Sequence, residues 1–204
     1  MEYTYIFWYN MNIVTVVLKL YFRRRECSRM ILNVGCGYKR YGDVRADIFP
    51  TPAVNIILDA DSPLPFKSEV FDEVYCRCLF EHLKNPNFFL CEVKRILKPK
   101  VKLVLITDNA SYIPFHIAKF LSLRVGWRHG SEYPSMHPLD KHYSFYQLEH
   151  LQNHFQSVGL KIIETKLLSY IDSEKPLGKL DCLVNLLLGK NFAFPKIKVV
   201  AIKL

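Results

Sequence analysis

An apolar run, Met30-Ile31-Leu32-Asn33-Val34, breaks into the turn Gly35-Cys36-Gly37. Glycines lack Cβ, so such a turn can bend sharply and bring backbone close to a ligand. Two acidic residues stand at the ends of later apolar runs, Asp47 within Val44–Ile48 and Asp59 after Val54–Leu58. Parallel strands hold a nucleotide-like ligand in this way, with glycine backbone beneath it and a carboxylate on its ribose hydroxyls. A Gly-x-Gly alone is weak evidence, because many strand-ending turns use it for geometry only.

The rest of the chain alternates in period. Ile31–Val34, Val44–Ile48, Val54–Leu58 and Phe71–Arg77 read as the first four strands. Asn85–Leu97 has helical spacing, with Phe88, Phe89, Val93, Ile96 and Leu97 on one face and Pro99 beyond it. Val101–Thr107 is almost wholly apolar, as in the centre of a parallel sheet. Helices are expected over Ile113–Leu123, Phe145–Ser157 and Leu177–Leu188, and strands over Leu160–Leu168 and Ile197–Leu204. Strand–helix alternation of this kind predicts an α/β fold. Residues 30–204 are expected to form one domain, preceded by a separate segment, 1–29.

Further short motifs follow in order: Leu64-Pro65-Phe66, Phe71-Asp72-Glu73-Val74, Phe80-Glu81-His82-Leu83 and Glu92-Val93-Lys94-Arg95-Ile96-Leu97-Lys98-Pro99. The series resembles the class I S-adenosylmethionine-dependent methyltransferases, in particular their small "type 11" branch. The likeness runs from about Met30 to Asp108 and is loose beyond. It implies a Rossmann-like sheet of seven mostly parallel strands, with a late antiparallel pair and helices on both faces. It also implies S-adenosylmethionine as cofactor.

Carried onto this chain, the resemblance places Asn33, Gly35, Cys36, Gly37, Asp47, Ile48, Asp59, Ala60 and Leu79 at the cofactor. Gly35 and Gly37 would pass close to its methionine part. Asp47 would hold the ribose hydroxyls. Asp59 and Ala60 would read the adenine, with Asp61 a rival to Asp59, and Leu79 and Phe80 would pack nearby. His82 and His142 are the candidate bases for proton removal from the acceptor, a role suited to imidazole near neutral pH. His137 and His129 rank below them. A structural histidine at a helix start and a plain strand-end Asp in a turn are the bland alternatives for His82 and Asp47. Residues 125–143 are expected to form a substrate-side loop, with 126–136 a lid or a plain connection. No metal site is expected.

Three departures from the family pattern stand out. Asn33 replaces the usual acidic residue and cannot offset the charge of the cofactor's amino group. Lys100-Val101 replaces the usual Gly-Gly. Between the first two strands, Tyr38–Asp43 leaves no room for a helix, although parallel strands usually need a crossover of about a dozen residues. A short turn or a displaced second strand is therefore expected.

The expected acceptor is a small molecule, a lipid or a glycan, methylated on oxygen or nitrogen. A degenerate fold used for binding or scaffolding is the main alternative, and an RNA or protein methyltransferase a lesser one. The net charge is +9, but apart from Arg23-Arg24-Arg25 the basic residues are scattered, so a nucleic-acid surface is not indicated. After Thr107 stands Asp108-Asn109-Ala110-Ser111 rather than the Pro-Pro motif of amino-methylating nucleic-acid enzymes. A full Gly-x-Gly-x-x-Gly for nicotinamide cofactors is missing.

The six cysteines form no Cys-x-x-Cys pair and are expected as free thiols in a reducing cytoplasm. Thr4–Phe22 is apolar and aromatic, with Arg23-Arg24-Arg25 after it. It lacks a signal-peptide start and cleavage site. Asn10, Asn12 and Lys19 would be costly in a membrane span. The segment is expected to pack on the domain, to cover the cofactor, or to contact a membrane surface through residues 4–25. The expected location is cytoplasmic, with or without membrane association.

Overall fold

The computed structural model describes residues 29–120, 142–169 and 176–204. Strands β1 (Ile31–Val34), β2 (Val44–Asp47), β3 (Ile56–Ile57), β4 (Phe71–Arg77), β5 (Leu97–Asp108), β6 (Leu160–Leu168) and β7 (Lys196–Lys203) form one sheet in the order β3-β2-β1-β4-β5-β7-β6. The pairs from β3 to β5 are parallel, and β7 runs antiparallel to both β5 and β6. This is the seven-stranded sheet that the resemblance implied.

Helices α1 (Pro86–Ile96), α2 (Ile113–Phe120), α3 (Leu148–Ser157), α4 (Pro176–Leu188) and the single turn α5 (Lys190–Ala193) complete the described elements, with a 3-10 turn at Phe80–His82. One face of the sheet carries Leu32, Val34, Val74, Cys76, Leu103, Leu105, Val199 and Ala201, which pack with Phe89 and Val93 of α1 and Leu151 and Phe155 of α3. Phe71, Phe80, Phe89 and Phe155 are fully buried. Each such side chain contributes roughly 1.5–3 kcal/mol of transfer free energy. Phe80 packs against Tyr146 and His154 and belongs to this core.

Helix α1 starts where Asn85 accepts a hydrogen bond from the Phe88 amide and Pro86 occupies the first turn. It ends at Ile96, one residue earlier than expected, because Leu97 turns extended and joins β5. Helix α3 begins at Leu148 rather than Phe145, since Tyr146 pairs with Asn109 in an isolated bridge and Gln147 caps the helix. Of the helix expected over 113–123, the described part ends at Phe120.

The crossover from β1 to β2 is a compact loop, and β2 is not displaced. Both strands are only four residues long. The chain must therefore return only about 10–13 Å, which a loop spans without a helix. Gly42 makes the final bend at φ +89, where a Cβ would lie 3.2 Å from the Ile31 carbonyl. Asp43 then closes the loop, accepting the Ile31 amide and donating its own amide to Ile31. The crossovers from β2 to β3 and from β3 to β4 also lack helices.

Beyond β5, α2, α4 and α5 gather at the carboxyl end of the sheet. The buried Tyr112 hydroxyl donates to Asp181 Oδ1 of α4 at 2.6 Å. Asn109 donates to the carbonyls of Asn191 and Phe194, both at 2.8 Å. The expected segment 1–28, His129, His137 and the loop as far as residue 141 lie outside the described residues. Among the described residues, no helix is long and apolar enough to cross a membrane.

Candidate functional site

The sheet order reverses between β1 and β4, which opens a crevice at the carboxyl ends of these strands. Gly35 and Gly37 line it, both in the left-handed region at φ 69 and 53. A Cβ on Gly35 would fall 2.9 Å from Leu79 Cβ, so glycine is required there by conformation and by space. Leu79 thereby meets the turn it was expected to accompany. The amides of Gly35 and Cys36 both bond to the Ala46 carbonyl, tying the turn to β2.

Asp47 sits at the end of β2 and is buried. Its Oδ2 accepts the Gly37 amide at 2.8 Å and its Oδ1 the Phe49 amide at 3.0 Å. A carboxylate has about four acceptor positions, so two remain for a ligand. Ile48 follows it, half-buried. Burial, and then the Asp47 charge, push the Cys36 thiol up to about 11, so it stays protonated and inert at neutral pH.

Asn33 is buried on β1. Its Nδ2 donates to the Tyr41 carbonyl at 3.1 Å, and its Oδ1 accepts no hydrogen bond from any described residue. An orphaned buried acceptor of this kind costs about 1–3 kcal/mol until a donor reaches it.

Asp59 and Asp61 do not lie on an extended segment. They share a turn in which Asp59 Oδ1 accepts the Asp61 amide and the Asp59 carbonyl accepts the Ser62 amide. Asp61 turns to the chain before α1 and accepts the amides of Lys84 and Asn85 at 3.0–3.1 Å. Asp59 is the exposed one, and Ala60 beside it is buried.

On the β4–β5 side stands a polar cluster. The 3-10 turn after β4 presents Glu81 and His82. The Glu81 carbonyl accepts the amides of Tyr143 and Ser144, which docks the segment carrying His142. The rings of His82 and His142 meet edge to face with centroids 4.5 Å apart. Thus the two histidines, 60 positions apart in sequence numbering, are brought together. Asp108 Oδ2 lies 4.0 Å from His142 Nδ1.

Glu81 is buried and accepts from the Thr107 hydroxyl at 2.8 Å. Burial, and then the neighbouring Asp108 charge, push its carboxyl up to about 7. Lys196 of β7 pairs with Asp108 and donates to Cys78 Sγ at 3.1 Å. Burial favours its neutral amine, but Cys78, Asp108 and Glu81 together outweigh this and keep it an ammonium. Cys78 itself holds a left-handed backbone at φ 52, uncommon for a side chain and typical of strained sites.

Glu81 appears in the sequence motif without an assigned role, and Asp108 and Lys196 were missed. Asp108 ends an apolar strand, and its position there was the available signal. Lys196 lies 88 residues away and arrives only through the antiparallel pairing of β7 with β5.

Residues 18–165, well over half of the chain, match a family model described as a methyltransferase domain. The chain belongs to that family. It is a class I S-adenosylmethionine-dependent methyltransferase by family and by fold, and S-adenosylmethionine is the cofactor of that class. A methyltransferase of this class from Archaeoglobus fulgidus is 17% identical with a TM-score of 0.58, over 95% of this chain and 94% of that one. One from Thermotoga maritima is 14% identical with a TM-score of 0.57, over 100% and 96%. The [4+2]-cyclase SpnF is 14% identical with a TM-score of 0.51, over 92% and 80%. At such identities the likeness shows the fold alone. No curated protein matches the chain.

Proposed function

We propose that this methyltransferase transfers the methyl group of S-adenosylmethionine to oxygen or nitrogen of a small-molecule, lipid or glycan acceptor. The observation that carries the reading is the shared edge of the sheet. The Gly35–Gly37 turn with Asp47 and the His82–His142 pair with Glu81 lie at the carboxyl ends of neighbouring strands.

The residues present fit the cofactor. The orphaned Asn33 Oδ1 suits the donor's amino group, and the left-handed glycines suit backbone passing along its methionine part. Asp47 keeps two acceptor positions for the ribose hydroxyls. Asp59 and Ala60 are the adenine side, with Leu79 between the two halves. When bound, the cofactor supplies a sulfonium-activated methyl: its carbon–sulfur bond breaks as the bond to the acceptor forms, and sulfur keeps the electron pair. The protein then needs mainly to hold acceptor and donor in line. His82 or His142 takes the acceptor's proton, with the Asp108 carboxylate 4.0 Å from His142 Nδ1.

A second reading has its own support. Asn33 carries no charge, and both Asp47 oxygens already serve backbone amides. A fold of this kind used only for binding would look similar. Calorimetric titration with S-adenosylhomocysteine separates the two. Saturable binding is expected, weakened at least about tenfold by Asp47→Ala through the loss of roughly 1.4 kcal/mol or more of charged hydrogen bonding. No binding by the folded protein leaves the binding-module reading.

A further inference from the structure

We infer that Glu81, His82 and His142 bind a divalent transition-metal ion, on which an oxygen acceptor would be held beside the methyl donor. Each of the three offers one ligand atom, and these atoms lie within 4.8 Å of one another. Ligands of one such ion, at bonds of about 2.1 Å, stand at most about 4 Å apart, so small side-chain rotations close the gap. The geometry is built rather than accidental. Two backbone hydrogen bonds dock the segment at 143–144 onto the Glu81 carbonyl, which sets His142 against His82.

Outer contacts are also in place. Thr107 holds one Glu81 oxygen, and Asp108 faces His142 Nδ1. Partners of this type orient metal-bound carboxylates and imidazoles. The Lys196 ammonium pairs with Asp108, and Glu81 also bears on it, so a bound cation would share the Glu81 charge with Lys196. Two imidazoles and one carboxylate suit first-row transition metals better than magnesium or calcium. Three protein ligands leave coordination positions for acceptor oxygens, such as two neighbouring hydroxyls.

The role for the ion rests on the methyl-transfer reading, whereas ion binding does not. With the ion bound, both imidazoles would serve as ligands instead of as the proposed base. The ion would lower the pKa of an acceptor hydroxyl, whose proton would go to solvent. The hydroxyl oxygen would then take the methyl carbon as the carbon–sulfur bond breaks onto sulfur. This narrows the acceptor to an oxygen nucleophile.

The test is Mn2+ binding to the chelator-stripped full chain, read by loss of the free-ion electron paramagnetic resonance signal. Mn2+ is the probe because the exposed thiols of Cys91 and Cys182 would capture softer Zn2+ on their own. One ion per chain is expected, with affinity lowered at least about tenfold in His82→Ala and in His142→Ala. Glu81→Gln should lower it likewise, and Glu81→Asp less. Thermal unfolding and S-adenosylhomocysteine titration of each variant report folding. Absence of saturable Mn2+ binding to the intact chain overturns the inference, as does unchanged affinity in both folded histidine variants. S-adenosylhomocysteine binding without Mn2+ binding defeats the metal site alone. Mn2+ binding without S-adenosylhomocysteine binding upholds the site and defeats the methyl-transfer reading.

Discussion

At the scale of single residues, the proposed donor site turns on one atom of Asn33. Its Nδ2 is satisfied by the Tyr41 carbonyl while its Oδ1 waits, buried, for a donor. Asn33→Asp puts a charge at the waiting position. It also removes the donor to Tyr41 and sets a carboxylate beside a carbonyl. The unliganded protein should lose about 1–3 kcal/mol for that broken pairing. Against the cofactor's ammonium, the charge-assisted bond should gain about 1.4 kcal/mol, close to tenfold in affinity. Denaturant unfolding without ligand and titration with S-adenosylhomocysteine measure the two effects. Equal affinities in both proteins would show that Asn33 does not face the amino group. The meeting of the Gly35–Gly37 turn with Asp47 was legible because glycines and a strand-end acid are written locally. Asp108 and Lys196 were not legible, since their pairing depends on β7 entering the sheet beside β5. Sequence spacing also does not reveal that Asp61 holds the amides of Lys84 and Asn85.

At the scale of elements, the register irregularity near the start of β5 keeps a glycine's geometry without a glycine. Lys100 sits at φ 61 and its side chain is exposed. A left-handed backbone costs a residue with Cβ roughly 1–2 kcal/mol. Glycine would recover this and give back about 0.5–1 kcal/mol through greater freedom of the unfolded chain. Lys100→Gly should therefore stabilise the protein by about 0.5–1 kcal/mol, raising Tm by about 1–4 °C. A lowered Tm in calorimetry would refute the strain argument. Strands were read well where alternation or an apolar run marks them: β1, β4 and β6 have the expected bounds. Helix starts were less legible. Aromatic Phe145 and Tyr146 continue the helical pattern of α3, yet tertiary pairing of Tyr146 with Asn109 holds them extended.

Across the whole molecule, carboxylates take over work that crossover helices do in a larger fold. Asp43 holds the Ile31 amide, Asp72 the Met30 amide, Glu92 the Leu64 amide, and Asp61 those of Lys84 and Asn85. Each ties a helix-free loop or strand entry to its neighbour. Two of these groups have clear shifts. Burial disfavours the charged Asp72, but Lys98 at 2.7 Å, the Met30 amide and Arg29 outweigh it and lower its pKa below the ordinary 3.8. The forked hydrogen bonds from Arg95 hold Glu92 below its ordinary 4.5 against its partial burial. Both folded pKa values are depressed, so the unfolded chain binds more protons as pH falls. The stability these groups contribute is present above the ordinary values and is lost as pH drops through the folded ones. Protonation also raises a net charge that is already +9, which adds self-repulsion to the same limb. Urea unfolding between pH 7 and pH 3 should show a steep loss of stability on the acid side. In Asp72→Asn/Glu92→Gln the protein should be less stable at pH 7 and the acid-side slope shallower. Both partly exposed pairs are screened by solvent, so salt should shrink the difference at pH 7. An unchanged acid slope in the double variant would mean that these two carboxylates do not hold the loops together.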